Sequence, residues 1–228
     1  MRTKKAKRAL MVLLLAMTTL LAAAPASAAN PKWKSLKKKY AEKQNTDRLI
    51  FVKYKGGTKA TLYMLRKETR SDGTHYWKRF LKCKAWVGMN GIGKKREGDV
   101  KTPKGTFKIT EGFGILENPG LTGLNYTKLN KYLYWSGEEA TYNTMVDSRT
   151  LGHVPANSEH LIDYDPYYHY ALNINYNKKH TYKKGSAIFL HCKGSNDYTH
   201  GCVAVSEEDM ITIMQNTTDK TKICIYRK

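Results

Sequence analysis

Cysteine is scarce: four residues in 228. That is too few for the disulfide framework that holds small secreted domains together, so a hydrophobic core must carry the fold. Helical periodicity is nearly missing before residue 206 and no internal repeat is visible, which leaves no basis for a helical bundle or a repeat array. Acidic residues are few as well, 19 Asp and Glu against 40 Lys and Arg, for a formal charge of +21. An imbalance of that size fits a polyanionic neighbour, or else an ordinary solvated surface. No nucleic-acid motif accompanies the charge, so nucleic acid is not expected as a partner.

Long apolar runs are also absent, with one exception near the start. Residues 10–24 are apolar, preceded by Arg2, Lys4, Lys5, Lys7 and Arg8 and followed by Ala26, Ser27 and Ala28. A basic head, a short apolar stretch and small residues are what a signal peptidase reads, so residues 1–28 are expected to be a secretory signal. The run falls short of the roughly 20 residues of a membrane span. An uncleaved anchor is the alternative; the expectation is export, with no stable membrane insertion after cleavage. Losing the five leading positives from +21 leaves +16.

What remains reads as a basic linker or surface helix over 29–47 and one domain over 48–228. Segments rich in β-branched and aromatic residues occupy 49–54, 60–65 and 76–87, separated by turn signals at Gly56-Gly57 and Ser71-Asp72-Gly73. That pattern predicts an antiparallel meander. Further strands are expected at 105–110, 168–176, 186–191 and 222–226. The clearest helix starts after Ser206, which can cap it. Glu207, Glu208 and Asp209 suit its positive end, and Met210, Ile211 and Met214 give it an apolar face. The stretch 111–158 is irregular and rich in Tyr, Asn and Gly, a lid-like insertion or a plain long excursion. Its Tyr126, Tyr132, Tyr134, Trp135 and Tyr142 have rings suited to stacking on sugars or to packing on the sheet.

The chemistry concentrates near the end. An apolar strand runs Phe189, Leu190, His191; eleven residues after His191, Thr199, His200 and Gly201 lead into Cys202. A free thiol has a pKa of about 8.5 and needs a base to attack an acyl carbon at neutral pH. His191, held by a strand end, suits that task. Gly201 lets the backbone approach closely, and the amides of Gly201 and Cys202 are candidate oxyanion donors. Rival readings are a buried structural cysteine, a Cys192–Cys202 disulfide, and zinc held by His191, Cys192, His200 and Cys202. The zinc reading suffers from ligands adjacent or one apart, too tight for tetrahedral chelation. A phosphate-loop reading of Gly88 to Lys94 fails because Lys95 stands where Ser or Thr should hold magnesium; the segment reads as a glycine-rich turn.

The pattern of a strand His followed by Thr199-His200-Gly201-Cys202 resembles the active-site signature of the L,D-transpeptidase catalytic domain, the YkuD-type family. The segment 98–107, Gly-Asp-Val-Lys-Thr-Pro-Lys-Gly-Thr-Phe, is similar to that family's upstream turn, and its Pro103 and Gly105 give it a structural reading as a hairpin. The resemblance implies a mainly β fold, a sandwich of mixed sheets with a few short helices and a lid-like insertion. It implies Cys202 as nucleophile, His191 as general base oriented by the carbonyl of Cys192, and His200, Gly201 and the Cys202 amide shaping the oxyanion site, with no metal or organic cofactor. The loop between His191 and Thr199 is about half the family's usual length, which leaves His200 as an alternative base, and Ala204 stands where the family often has Arg. The implied reaction acts on peptidoglycan stem peptides at the cell wall: a Cys acyl-enzyme at the third, diamino residue, then a crosslink between two third residues. Anionic wall polymers would explain the basic surface. The alternatives are an L,D-carboxypeptidase, with water as acceptor, and a non-catalytic basic wall-binding protein.

Overall fold

The computed structural model describes residues 32–227; the leader read at 1–28 lies outside them. Three long strands, β1 (Arg48–Gly56), β2 (Lys59–Thr69) and β3 (His75–Trp86), form the expected antiparallel meander. The two turns sit where glycine and aspartate signalled them, and Asp72 Oδ1 takes both the amide (2.9 Å) and the hydroxyl (2.7 Å) of Thr74. β1 reads as a nearly continuous apolar run because both its faces are covered. Ile50, Val52 and Tyr54 face the main core, whereas Leu49 and Phe51 join Leu65, Trp77 and Cys224 in an outer cluster. That outer cluster is closed by α1 (Lys32–Ala41), whose Trp33, Leu36 and Tyr40 recur at helical spacing beneath a lysine-rich exterior. Trp77 Nε1 donates to the Lys37 carbonyl at 3.0 Å.

The remaining strands are β4 (Gly105–Gly114), β5 (Tyr126–Lys128), β6 (Leu133–Trp135), β7 (Met145–Asp147), β8 (Glu159–His160), β9 (Ala171–Ile174), β10 (Phe189–Cys192), β11 (Val203–Val205) and β12 (Thr221–Arg227). The mainly β, mixed-sheet class holds, and the pairing shows how the layers join. The order is β12-β1-β2-β3-β11-β10-β9-β4-β5, and β12 also pairs with β4, so eight strands form a closed ring. β12 runs parallel to β1 and antiparallel to β4. Inside the ring lie Ile50, Leu62, Met64, Leu172, Leu190, Val203, Val205, Ile223 and Ile225. Each such side chain taken from water contributes about 1.5–3 kcal/mol. Met210, Ile213 and Met214 of the C-terminal helix Glu207–Gln215 pack onto the same core, with Ser206 Oγ accepting from the Asp209 amide at 3.2 Å.

The segment 111–158, expected as a lid-like insertion, ends β4, adds β5 to the main sheet and supplies β6 and β7 of a second small sheet, ordered β7-β6-β8. It is packed, not loose. Leu133, Trp135 and Leu161 meet Phe113, Phe189, Tyr168 and Cys202 in a core of their own. Trp135 and Tyr142 are buried, which overturns the sugar-stacking reading for them; Trp135 Nε1 donates to Asn143 Oδ1 at 3.0 Å and the Tyr142 hydroxyl donates to Glu97. The other rings have partners within the chain. Tyr134 stacks on His160, Tyr132 lies beneath the Arg149 guanidinium, and Tyr126 donates to the Leu116 carbonyl.

Between β3 and β4 the chain makes a turn over 88–104, which joins the glycine-rich turn read at 88–94 to the start of the hairpin read at 98–107. Asp99 is its hub: Oδ2 accepts from the amides of Lys95 and Arg96, and Oδ1 from the Lys101 amide and from Lys94 Nζ at 3.0 Å. Burial alone would raise the Asp99 pKa, but these donors outweigh it and hold it at about 2. Gly88 is required by space, since a Cβ there would sit 2.5 Å from the Val100 carbonyl oxygen. Thr102 is fully buried, and its hydroxyl accepts from the Gly88 amide (2.8 Å) and donates to the Cys202 carbonyl (2.9 Å). Thr102→Val leaves the Gly88 amide without an acceptor and is expected to cost about 1–3 kcal/mol. The measurement is a lower urea midpoint at unchanged m-value, with Thr102→Ser recovering most of the loss.

Candidate active site

β10 and β11 run parallel, with Leu190 opposite Val203, His191 opposite Ala204 and Cys192 opposite Val205. Strand side chains alternate, so this register sorts them. Leu190, Cys192, Val203 and Val205 enter the ring, whereas Phe189 and Cys202 belong to the core under the small sheet, and His191 shares their face. Two residues far apart in the loop thus become diagonal neighbours on one surface.

The turn before β11 is held from several sides. The Thr199 amide donates to the Val87 carbonyl at 3.0 Å, and the Met89 amide donates to the Thr199 carbonyl at 2.9 Å. Thr199 Oγ1 donates to the Cys202 carbonyl at 2.7 Å, joining Thr102 on the same oxygen. Gly201 has φ +151°, and a Cβ there would lie 3.0 Å from Ile188 Cδ1. Its amide donates to Thr199 Oγ1 at 3.2 Å, so this donor shapes the turn and does not face a reacting group.

Cys202 is 8% exposed and His191 6%. The thiol donates to the Ala187 carbonyl and accepts from the Phe189 amide, both at 3.3 Å. His191 Nδ1 lies 2.7 Å from the Cys192 carbonyl oxygen. A carbonyl only accepts, so Nδ1 carries the proton and Nε2 is the basic nitrogen. The rings of Tyr167 and Tyr168 stand edge-on to this imidazole. Burial drives the His191 pKa down to about 4, against the Cys192 hydrogen bond, which favours the charged ring. Burial likewise pushes the Cys202 thiol up to about 12, helped by the charge of Glu159 and opposed by the Phe189 amide and Lys94. At neutral pH the resting pair is a neutral thiol and a neutral imidazole.

Both groups line a cavity of about 840 Å³, together with His200, Lys94, Glu159 and Tyr164. That size suits a peptide-scale ligand. Of the residues singled out from sequence, Cys202, His191, Thr199 and Gly201 come together. Cys192 meets His191 through its carbonyl, while its thiol lies on the opposite face of the strand, 3.6 Å from the Tyr170 carbonyl. His200 is exposed beside Tyr198. These positions remove the zinc reading, because Cys192 and Cys202 point to opposite faces. The Cys192–Cys202 disulfide falls for the same reason, and Cys83, Cys192, Cys202 and Cys224 are all free thiols.

Sequence reasoning did not single out Thr102, Lys94 or Glu159 as parts of the site. Thr102 lies inside the 98–107 motif that was read as a hairpin, and it does build that turn while also gripping Cys202. Lys94 Nζ is held by Asp99 at 3.0 Å. Glu159 arrives from the small sheet, with no spacing relative to His191 that marks it.

Among the described residues no helix is long and apolar enough to cross a membrane. No curated protein matches the sequence. Among solved structures, that of Mycobacterium tuberculosis L,D-transpeptidase 1 aligns at 14% identity and a TM-score of 0.33, over 79% of this chain and 63% of that one, a likeness too loose to argue from. The sequence matches the L,D-transpeptidase catalytic domain, YkuD, over residues 47–225, which include the β10–β11 pair, the turn at 88–104 and the cavity between them. The chain belongs to the L,D-transpeptidase catalytic-domain family.

Proposed function

We propose that the cavity is an acyl-transfer centre on peptidoglycan stem peptides, with Cys202 as nucleophile and His191 as general base. The observation that carries the assignment is the His191 Nδ1 bond to the Cys192 carbonyl, which leaves Nε2 as the basic nitrogen on the face that bears Cys202. His200 is exposed and lines the cavity, so its place is at the rim and the role of base falls to His191.

The neutral resting pair shapes the mechanism. Sulfur leaves the Ala187 carbonyl and attacks the carbonyl carbon of the third, diamino residue while its proton passes to His191 Nε2. The Cys202 amide donates to the oxyanion that forms. As the tetrahedral intermediate collapses, the imidazolium protonates the departing terminal D-alanine, leaving a thioester on Cys202. An amine of a neighbouring stem then attacks the thioester, and a crosslink joins two third residues. Export past the membrane, directed by the segment 1–28, places the enzyme at the wall, where the excess of Lys and Arg faces anionic polymers.

Intact-mass analysis after exposure to a carbapenem, an acyl-donor mimic, is expected to show one adduct, mapped to Cys202. Cys202→Ala should take up none, and Cys83→Ala should acylate as the parent does. No adduct on any cysteine of the reduced protein would refute the assignment. His191→Gln should slow acylation roughly 10²–10⁴-fold; a comparable loss in His200→Gln alone would transfer the base to that residue. The neutral pair also has a spectral consequence. A thiol pushed up to about 12 and an imidazole pushed down to about 4 give no thiolate between them. The 240 nm difference between the parent and Cys202→Ala should therefore show no thiolate step from pH 5 to 9, whereas an ion pair would absorb throughout. Acylation should fail only as the pH drops toward about 4 and His191 takes up its proton.

A further inference from the structure

Glu159 has a position that the acylation step does not use. It sits on β8 opposite Trp135 and lines the same cavity as Cys202 and His191. Its Oε2 accepts from the Tyr168 hydroxyl at 2.7 Å, and Tyr168 is buried with its ring 5.6 Å from that of His191. Its negative charge is felt by Cys202, Tyr164 and Tyr168. Yet among the described residues no Lys, Arg or His forms an ion pair with it, in a chain with 40 Lys and Arg against 19 acids. The cavity's buried cation, Lys94, is bound to Asp99, and the neighbouring His160 is engaged by Asp163 and the Lys131 carbonyl. The other carboxylate lining the cavity, Glu97, is taken by Tyr142 and by Ser186 at 2.8 Å. Neither carboxylate has a cation partner among the described residues, but Glu97 accepts from two hydroxyls and Glu159 from one, and it is the charge of Glu159 that acts on the Cys202 thiol.

We propose that Glu159 is the acceptor-site carboxylate: it binds the ammonium group of the incoming amine and takes its proton, selecting amine over water in the second half-reaction. This rests on the reading of Cys202 as the acylated residue. The amine enters as R–NH3⁺ and gives one proton to Glu159. Its nitrogen then attacks the thioester carbonyl; a C–N bond forms, the C–S bond breaks, and the electron pair leaves on sulfur. The nitrogen's second proton passes through His191 to the Cys202 sulfur, and Glu159 returns its own proton to solvent. Burial raises the Glu159 carboxyl to about 7, with Tyr168 pulling it down and the charge of Glu97 adding to the rise, so it exchanges a proton near neutrality. Cys202, His191, His200, Lys94, Lys183 and Glu97 share the cavity with it, as do the phenols of Tyr142, Tyr164, Tyr167, Tyr168, Tyr182 and Tyr198. With the carboxyl raised, acceptor binding is gained as the pH climbs through about 7 and lost below it.

The test is the partition of the acyl-enzyme formed from a stem tetrapeptide, read as amide product against hydrolysis product. Two acceptors are compared: glycinamide, mainly an ammonium at neutral pH, and hydroxylamine, mainly uncharged there. Glu159→Gln should lower the glycinamide-to-water ratio roughly 10²-fold, lower the hydroxylamine ratio far less, and abolish the rise near pH 7. Tyr168→Phe, which removes the hydrogen bond that lowers the carboxyl pKa, should move that rise to higher pH. Equal falls with both acceptors, or an unshifted rise in Tyr168→Phe, would reduce Glu159 to a structural role and overturn the proposal. If the parent protein forms no acyl-enzyme at all, the reading of Cys202 fails and takes this inference with it. If acylation proceeds but partition ignores both variants, only the inference falls.

Discussion

The parallel register of β10 against β11 is the constraint on which the site depends. Shifting it by one residue would turn Cys202 toward Leu190 and the ring interior and bring Val203 to the cavity, because side chains alternate at every step. The register is fixed from outside the pair: β9 holds β10 and β3 holds β11, so neither strand can slide alone. Thr102 and Thr199 add a second lock by donating to the same carbonyl of Cys202. The Cys202 side chain is thus oriented by its backbone, and the backbone by hydroxyls drawn from two distant turns.

The burial that makes this scaffold rigid also sets the protonation state of its reactive groups. An ion pair of thiolate and imidazolium kept permanently out of water would carry a large desolvation cost. The protein avoids that cost by keeping both partners neutral at rest. Lys94 is the buried cation beside Cys202, and its charge opposes the rise in the thiol pKa.

Much of this was legible in the sequence, for definable reasons. The β1–β3 meander announces itself through two turns and β-branched runs, the C-terminal helix through Ser206, and the residues that meet at the cavity, His191 and Cys202, through a strand histidine and a glycine-preceded cysteine. Ring closure left no local trace, because the pairing of β12 with both β1 and β4 joins segments more than a hundred residues apart. The lysine-rich segment before β1 hid an apolar stripe, Trp33, Leu36 and Tyr40, among its charges. Aromatic residues in the insertion looked available because composition cannot show that a short three-stranded sheet has its own core. Glu159 was invisible for a related reason: the pairing of β8 with β6 brings it to the cavity wall, and that neighbourhood is a property of space.

The place of β12 also bears on how the chain matures. The seven residues Thr221–Arg227 form the stave between β1 and β4, and nothing earlier in the sequence occupies that gap. Two unsatisfied strand edges therefore persist until the last segment arrives, an assembly dominated by distant contacts and slow by nature. Such a polypeptide keeps an open seam while its earlier strands pair and becomes a closed vessel only once its tail is free to dock.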